Sequence, residues 1–168
     1  WTCSGEIDES LDKDTTMLSW TEMLSKAPKD SVVVCQPNDG TIAHMGELSA
    51  ETLKYRGVRG YIVDGGCRDV DFILKLGFPV FCKYFTPSDV VCRWQVKTLG
   101  EPIKIGDLEI KSGDYVLGDI DGVVIIPNEI IDEVITDTEN YINTESALRK
   151  DILSGVDPKE AYLKYRLF

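Results

Sequence analysis

The feature that most constrains this chain is a set of short apolar runs with no polar face, spaced by helix-length segments. SVVVCQ (31–36), GYIVDG (60–65) and PVFCKY (79–84) are rich in β-branched and aromatic residues and do not alternate with polar ones. A strand with one face in water alternates, whereas a strand covered on both faces reads as a continuous run. The segments between them have helical character. Residues 46–56 read as a helix with Gly57 as its stop, and 69–76 (DVDFILKL) as a short helix ended by Gly77. Before the first run, LSWTEMLSKA (18–27) reads as a helix that halts ahead of Pro28. Strand, helix, strand, helix, strand in this order implies parallel strands joined by right-handed crossovers.

The second half changes character. IKIGDLEIKSGDYVLGDIDGVVIIP (103–127) alternates apolar and polar residues between Gly-Asp turns, the pattern of a β meander or hairpins. Asp119-x-Asp121 in this stretch is read as turn chemistry rather than as a metal pair. From Asn128 a long helix is expected to about Leu153, with an apolar stripe at Ile130, Ile131, Val134, Ile135, Ile142 and Leu148 and Gly155 as its end. Asp157-Pro158 opens a last short helix. The expected fold class is mixed α/β in a single domain over 1–168: a parallel βαβ layer, a β-rich layer and covering helices.

Charge narrows the function. Eighteen Lys and Arg against twenty-nine Asp and Glu leave a net −11, which repels phosphate backbones and argues against a nucleic-acid partner. No apolar run approaches the ~18 residues of a membrane helix, so no membrane partner is expected. The five cysteines (Cys3, Cys35, Cys67, Cys82, Cys92) are dispersed with no C-x-x-C, which suits buried packing and a cytoplasmic setting. His44 has no second histidine to complete a metal pair.

In parallel α/β sheets, ligands bind beyond the carboxyl ends of the strands. Two loops leave such ends here, Gln36 to Glu47 and Asp64 to Asp69. Each is followed by a helix whose first turn offers unpaired N–H groups and a positive dipole end. The amides of Leu48 and Ser49 are therefore candidates for an anionic oxygen. Gly65 and Gly66 are expected to let the second loop turn tightly. Arg68 fits a clamp for a carboxylate or a developing enolate, and equally a surface charge. Asp69 fits a hard oxygen ligand or a helix N-cap. Glu47 fits a second site carboxylate or a complement to a helix dipole. One carboxylate plus waters suits Mg²⁺, with Mn²⁺ also compatible.

The chain resembles the RraA-like family, whose members include metal-dependent 4-hydroxy-4-methyl-2-oxoglutarate aldolases with oxaloacetate decarboxylase activity, and regulators of ribonuclease E. The resemblance runs from SVVVC to about Gly155 and is strongest in GELSAETLKYRGVRGYIVDGGCRD (46–69). The aldolases of the family carry Gly, three residues, Asp, twenty residues, then Arg-Asp. Here Glu47 is followed by twenty residues and then Arg68-Asp69. FPVF (78–81), Pro87, Arg93, Glu101-Pro102-Ile103 and KSGDYVLGDIDGVVIIP (111–127) match in order. Ala43 stands where the pattern has Gly, Glu47 where it has Asp, and Cys92-Arg93 where Gly-Arg is usual. The family's N-terminal helical segment has no counterpart, so the start of the domain is expected to lie outside this sequence.

The resemblance implies a swivelling β/β/α domain assembled as a homotrimer or dimer of trimers. It also implies a site in which Asp69 binds Mg²⁺ and Arg68 stabilises a pyruvate enolate. The Leu48 and Ser49 amides would hold the substrate carboxylate, and Glu47 would orient or activate a water. Glu145 is placed to reach a neighbouring subunit's site, or is a solvated charge on its helix. The implied substrate is a small 2-oxo acid. The regulators lack the Asp that follows the Arg, and this sequence retains it. A Schiff-base route would need a desolvated lysine, and neither loop contains one.

Overall fold

The computed structural model describes residues 1–168. Its contacts divide into two compact units, Trp1–Pro127 and Asn128–Phe168.

The first unit begins with strand β1 (Thr2–Ile7), helix α1 (Lys13–Lys26), strand β2 (Val32–Gln36), helix α2 (Glu47–Tyr55) and strand β3 (Gly60–Val63). Strand β4 (Gly66–Cys67), helix α3 (Val70–Leu76), strands β5 (Val80–Phe81) and β6 (Tyr84–Phe85) and strand β7 (Trp94–Leu99) follow. Two hairpins complete it, β8 (Ile103–Ile105) with β9 (Leu108–Ile110) and β10 (Tyr115–Asp119) with β11 (Gly122–Ile126). The main sheet has the order β5-β3-β2-β1-β7, with β1, β2, β3 and β5 parallel. Strand β7 departs from the expected parallel layer, running antiparallel to β1 at the edge.

The continuous apolar runs have the origin expected of them. In β2, Val33 and Cys35 face the helices while Val34 faces the hairpins; in β3, Val63 and Tyr61 face one way and Ile62 the other. On the helix side, Trp20, Met23 and Leu24 of α1, Ala50 and Leu53 of α2 and Ile73 of α3 close the main core. On the other side, Ile103, Ile105, Ile110, Val116 and Ile125 cover Val34 and Ile62. Each fully buried aliphatic side chain contributes ~2 kcal/mol relative to exposure. The result is three layers, helices on a parallel sheet on a β-rich layer.

Helix ends follow local chemistry. Asp12 caps α1 by accepting from Thr15 N at 2.7 Å, so α1 starts five residues before the expected Leu18. Gly77 ends α3 in the left-handed conformation (φ 65°). The expected strand 79–84 is two: β5 pairs with β3, and β6 pairs with β4. Asp119 accepts from Asp121 N at 2.8 Å and closes the β10–β11 turn, as its turn reading requires.

The second unit is a 3₁₀ turn (Asn128–Ile130), helix α4 (Ile131–Leu153) and helix α5 (Pro158–Tyr165). Leu148 and Ala161 are buried in it. Asp157 caps α5 through Lys159 N and Glu160 N, and Asp151 accepts from Lys164 Nζ at 2.7 Å and Tyr165 OH at 2.9 Å. No helix of the chain is long and apolar enough to cross a membrane.

Candidate active site

β2 and β3 are parallel neighbours, so the loops that follow them leave the same end of the sheet side by side. Backbone bonds lace them together. His44 N donates to Gly66 O at 2.8 Å, Arg68 N to Met45 O at 2.9 Å, and Ala43 bridges Gly66. Gly65 and Gly66 do not have the positive φ that the tight-turn expectation implied. They are needed for space: a Cβ at Gly66 would stand 2.4 Å from the Tyr84 ring, and one at Gly65 2.7 Å from His44 Nδ1.

The second loop delivers Arg68 and Asp69 to the N-terminus of α2. Asp69 occupies the N-cap position of α3, yet its side chain makes no capping bond to that helix. It sits in the left-handed region (φ 57°, ψ 37°), a conformation that Asp tolerates better than most side chains. Its carboxylate reaches across instead, and Oδ2 accepts from Glu47 N at 3.0 Å. The helix it caps is therefore α2, whose own N-cap, Gly46, has no side chain to offer. Gly46 also makes the arrangement sterically possible, since a Cβ there would lie 2.8 Å from Asp69 Oδ2 and 2.9 Å from Arg68 Nε.

Arg68 is held between two carboxylates. Its Nε lies 3.5 Å from Asp69 Oδ2, and its Nη1 donates to Asp89 Oδ2. Asp89 is itself oriented, because its Oδ1 accepts from Val91 N at 2.9 Å. Partial burial pushes the Asp89 carboxyl up, but the Val91 N–H and the guanidinium outweigh it and hold it below the ordinary carboxylate value. No sequence pattern singles out Asp89. It lies twenty-one residues from Arg68 with no periodic relation to it, and Pro87-Ser88-Asp89 reads only as a turn.

With Glu47 N satisfied by Asp69, the Leu48 and Ser49 amides keep open positions in the first turn of α2. The Ser49 hydroxyl accepts from Trp20 Nε1 at 2.9 Å, which fixes α1 against the start of α2. Two open depressions flank Arg68. One, of about 510 Å³, is bounded by Arg68, Asp69, Phe85 and Pro87. The other, of about 470 Å³, is bounded by Trp20, Leu48, Ser49, Arg68 and Asp89.

The structure thus places Glu47, Leu48 and Ser49, at the start of α2, beside Arg68 and Asp69. Glu145 belongs to the second unit, on α4, where Arg149 one turn on pairs with its carboxylate. His44 lies beneath the two loops, fully buried, with Trp94 edge-on at 5.1 Å and Asp39 Oδ2 3.4 Å from its Nε2.

The donor set bears on which cation fits. No cluster of three or more His, Cys, Asp or Glu exists anywhere in the chain, so a tetrahedral zinc site or an all-protein calcium cage has no ligands here. Around Arg68 stand two carboxylates, Asp69 and Asp89, so the three groups carry a net negative charge. Asp69 is exposed, and only one of its oxygens carries a protein hydrogen bond. A half-open carboxylate in a negative pocket fits Mg²⁺ or Mn²⁺ that keeps most of its waters.

A family model described as RraA-like, Aldolase/RraA, matches residues 9–125. The uncharacterized protein MJ0644 of Methanocaldococcus jannaschii is 34% identical over 124 residues, which is 68% of this chain and 55% of that protein. The chain therefore spans about half the length of that relative. A protein of Halalkalibacterium halodurans, provisionally named a 4-hydroxy-4-methyl-2-oxoglutarate aldolase, is 30% identical over 142 residues, covering 84% of this chain and 67% of that one. Among solved structures, an uncharacterized protein from Pseudomonas syringae pv. tomato superimposes with a TM-score of 0.85 at 22% identity, over 98% of this chain and 74% of that one. Streptomyces coelicolor RraAS2, described as an unusual member of the RNase ES inhibitor RraA protein family, gives 0.76 at 22% identity, over 89% and 75%. These two likenesses bear on the fold alone. The three-layer fold and the matched residues together make this chain a member of the RraA-like family.

Proposed function

We propose that the chain is a divalent-metal-dependent carbon–carbon lyase that releases pyruvate from 4-hydroxy-2-oxo acids or oxaloacetate. The observation that carries this reading is Arg68 clamped between Asp69 and Asp89 at the open N-terminus of α2. An enolate needs a fixed cationic donor where its charge develops, and this guanidinium is oriented before substrate arrives.

Asp69 would hold the cation, Mg²⁺ or Mn²⁺. When bound, such an ion supplies Lewis-acid stabilisation of the enolate oxygen. The Leu48 and Ser49 amides receive the substrate carboxylate at the positive end of α2. Arg68 donates to the 2-oxo oxygen as it gains negative charge, while Asp89 keeps the guanidinium from turning away. Glu47, the first residue of α2, orients the water that takes the C4 hydroxyl proton. Cleavage of the C3–C4 bond then leaves a pyruvate enolate. Loss of carbon dioxide from oxaloacetate gives the same enolate, so one set of groups serves both reactions.

Pyruvate release from oxaloacetate and from 4-hydroxy-4-methyl-2-oxoglutarate, followed through a coupled dehydrogenase with and without EDTA, tests this reading. Turnover that EDTA abolishes and Mg²⁺ restores is expected; turnover indifferent to chelation contradicts it. The regulators within the family give a second reading, a non-enzymatic binder of ribonuclease E. Salt-sensitive capture by a ribonuclease E scaffold, with no pyruvate release, would select it.

A further inference from the structure

The two depressions that flank Arg68 differ in their lining. One carries Leu48 and Ser49, whose amides are open. The other is bounded by Asp69, Val70, Phe85, Thr86 and Pro87. A 2-oxo acid with its carboxylate at the α2 amides and its keto oxygen at Arg68 would run past the guanidinium. Its C4 end would then enter the second depression.

Backbone bonds fix the wall of that depression. β6 pairs in parallel with β4, with Phe85 opposite Cys67. Thr86 N donates to Cys67 O at 3.1 Å, and Ala43 N donates to Ser88 O at 3.0 Å. Phe85 is nevertheless 67% exposed, an aromatic ring standing at the mouth of a charged site. Val70 and Pro87 add apolar surface beside it. The Thr86 hydroxyl accepts from Ser88 N at 3.3 Å and carries no charge.

The only cation in this lining is Arg68, which already answers Asp69 and Asp89. Lys83 pairs with Asp64, and Arg93 donates to Ser88 Oγ at 2.9 Å; neither bounds the depression. A second carboxylate at the C4 end would give up hydration beside Asp69 and apolar surface, with no charge left to neutralise it.

We propose, on the basis of the lyase reading above, that the chain prefers 4-hydroxy-2-oxo monocarboxylates whose C4 substituent is an uncharged alkyl or aryl group, with Phe85 as the specificity-determining residue. In the cleavage the C3–C4 bond breaks and its electron pair stays with C3 as the pyruvate enolate. The C4 hydroxyl proton passes to the water beside Glu47, C3 later takes up a proton, and C4 leaves as an uncharged aldehyde or ketone. Oxaloacetate remains a substrate because its second carboxylate departs as carbon dioxide, a loss of charge that apolar surroundings favour.

Binding is tested first, with two 2-oxo acids that lack the 4-hydroxyl and cannot undergo retro-aldol cleavage. Titration calorimetry of the full chain with Mg²⁺ compares 4-methyl-2-oxopentanoate with 2-oxoglutarate, one ending in methyl groups and the other in a carboxylate. The branched acid should bind roughly tenfold more tightly. Phe85→Ala should weaken it about fivefold and leave 2-oxoglutarate unaffected, whereas Phe85→Arg should reverse the preference. In turnover, 4-hydroxy-2-oxopentanoate should exceed 4-hydroxy-4-methyl-2-oxoglutarate in kcat/KM. Equal or tighter binding of 2-oxoglutarate by the unaltered chain, or faster pyruvate release from the dicarboxylate, would overturn the preference and leave the lyase reading intact. The binding preference without pyruvate release from either substrate would refute the lyase reading and leave the role of Phe85 standing.

Discussion

Lowering the pH should destabilise this chain through one residue, His44, well before its carboxylates respond. His44 is the single histidine of the sequence and is completely buried under the site loops. Neither ring nitrogen has a hydrogen-bond partner. Burial lowers its pKa to about 4 from 6.5, against the opposing pull of Asp39. The unfolded chain therefore takes up a proton near 6.5 while the folded chain resists until about 4. Stability is fully present above the unfolded pKa and is lost as pH falls through this window, with a ceiling of about 3 kcal/mol once both states are protonated. Between about pH 7.5 and pH 5 the loss should be about 2 kcal/mol. Asp39 and Asp89 have pKa values depressed below 3.8, so their contributions are lost only at lower pH and do not enter this interval. Urea unfolding at the two pH values measures the loss. His44→Phe keeps a ring against Trp94, removes the titration and should flatten the pH dependence. Equal losses in both proteins, or an imidazole NMR resonance that titrates near 6.5, would refute the reasoning.

Other substitutions probe the site and the core. Gly46→Ala should leave far-UV circular dichroism unchanged but lower pyruvate release by roughly 10²-fold, because the new methyl displaces Asp69 and Arg68. Asp89→Asn keeps an acceptor for Val91 N but loses the charge that orients Arg68, so kcat should fall about tenfold. Leu53→Ala, at a fully buried position of α2, should cost ~3 kcal/mol in urea unfolding.

Much of the fold was legible because both faces of β2 and β3 are covered, which makes their runs continuous and sets them apart from the alternating hairpins. Features stabilised by tertiary contacts were harder to read. The first turn of α1 looks polar, yet Thr16 is buried and its hydroxyl accepts from Cys92 N at 3.2 Å. β1 carries Ser4, Gly5 and Glu6 and is held by pairing with β2 and β7 rather than by propensity. β6 is set apart from β5 because its partner is β4, a choice that no local pattern encodes. At the site, spacing placed Glu47, Arg68 and Asp69 together. The cross-loop bond from Glu47 N to Asp69 and the Asp89 brace on Arg68 depend on loop geometry that sequence periodicity does not report.

In the proposed lyase site, Asp69 anchors the divalent cation. Asp69→Asn tests it with little disturbance, since the amide oxygen can still accept from Glu47 N while the charge is lost. Mn²⁺-supported pyruvate release from oxaloacetate, measured for the unaltered chain and this variant side by side, is the decisive comparison. Saturable, EDTA-sensitive turnover is expected in the first and a loss of about 10²-fold or more in the second. Equal turnover in the two proteins, or none in either, would contradict it.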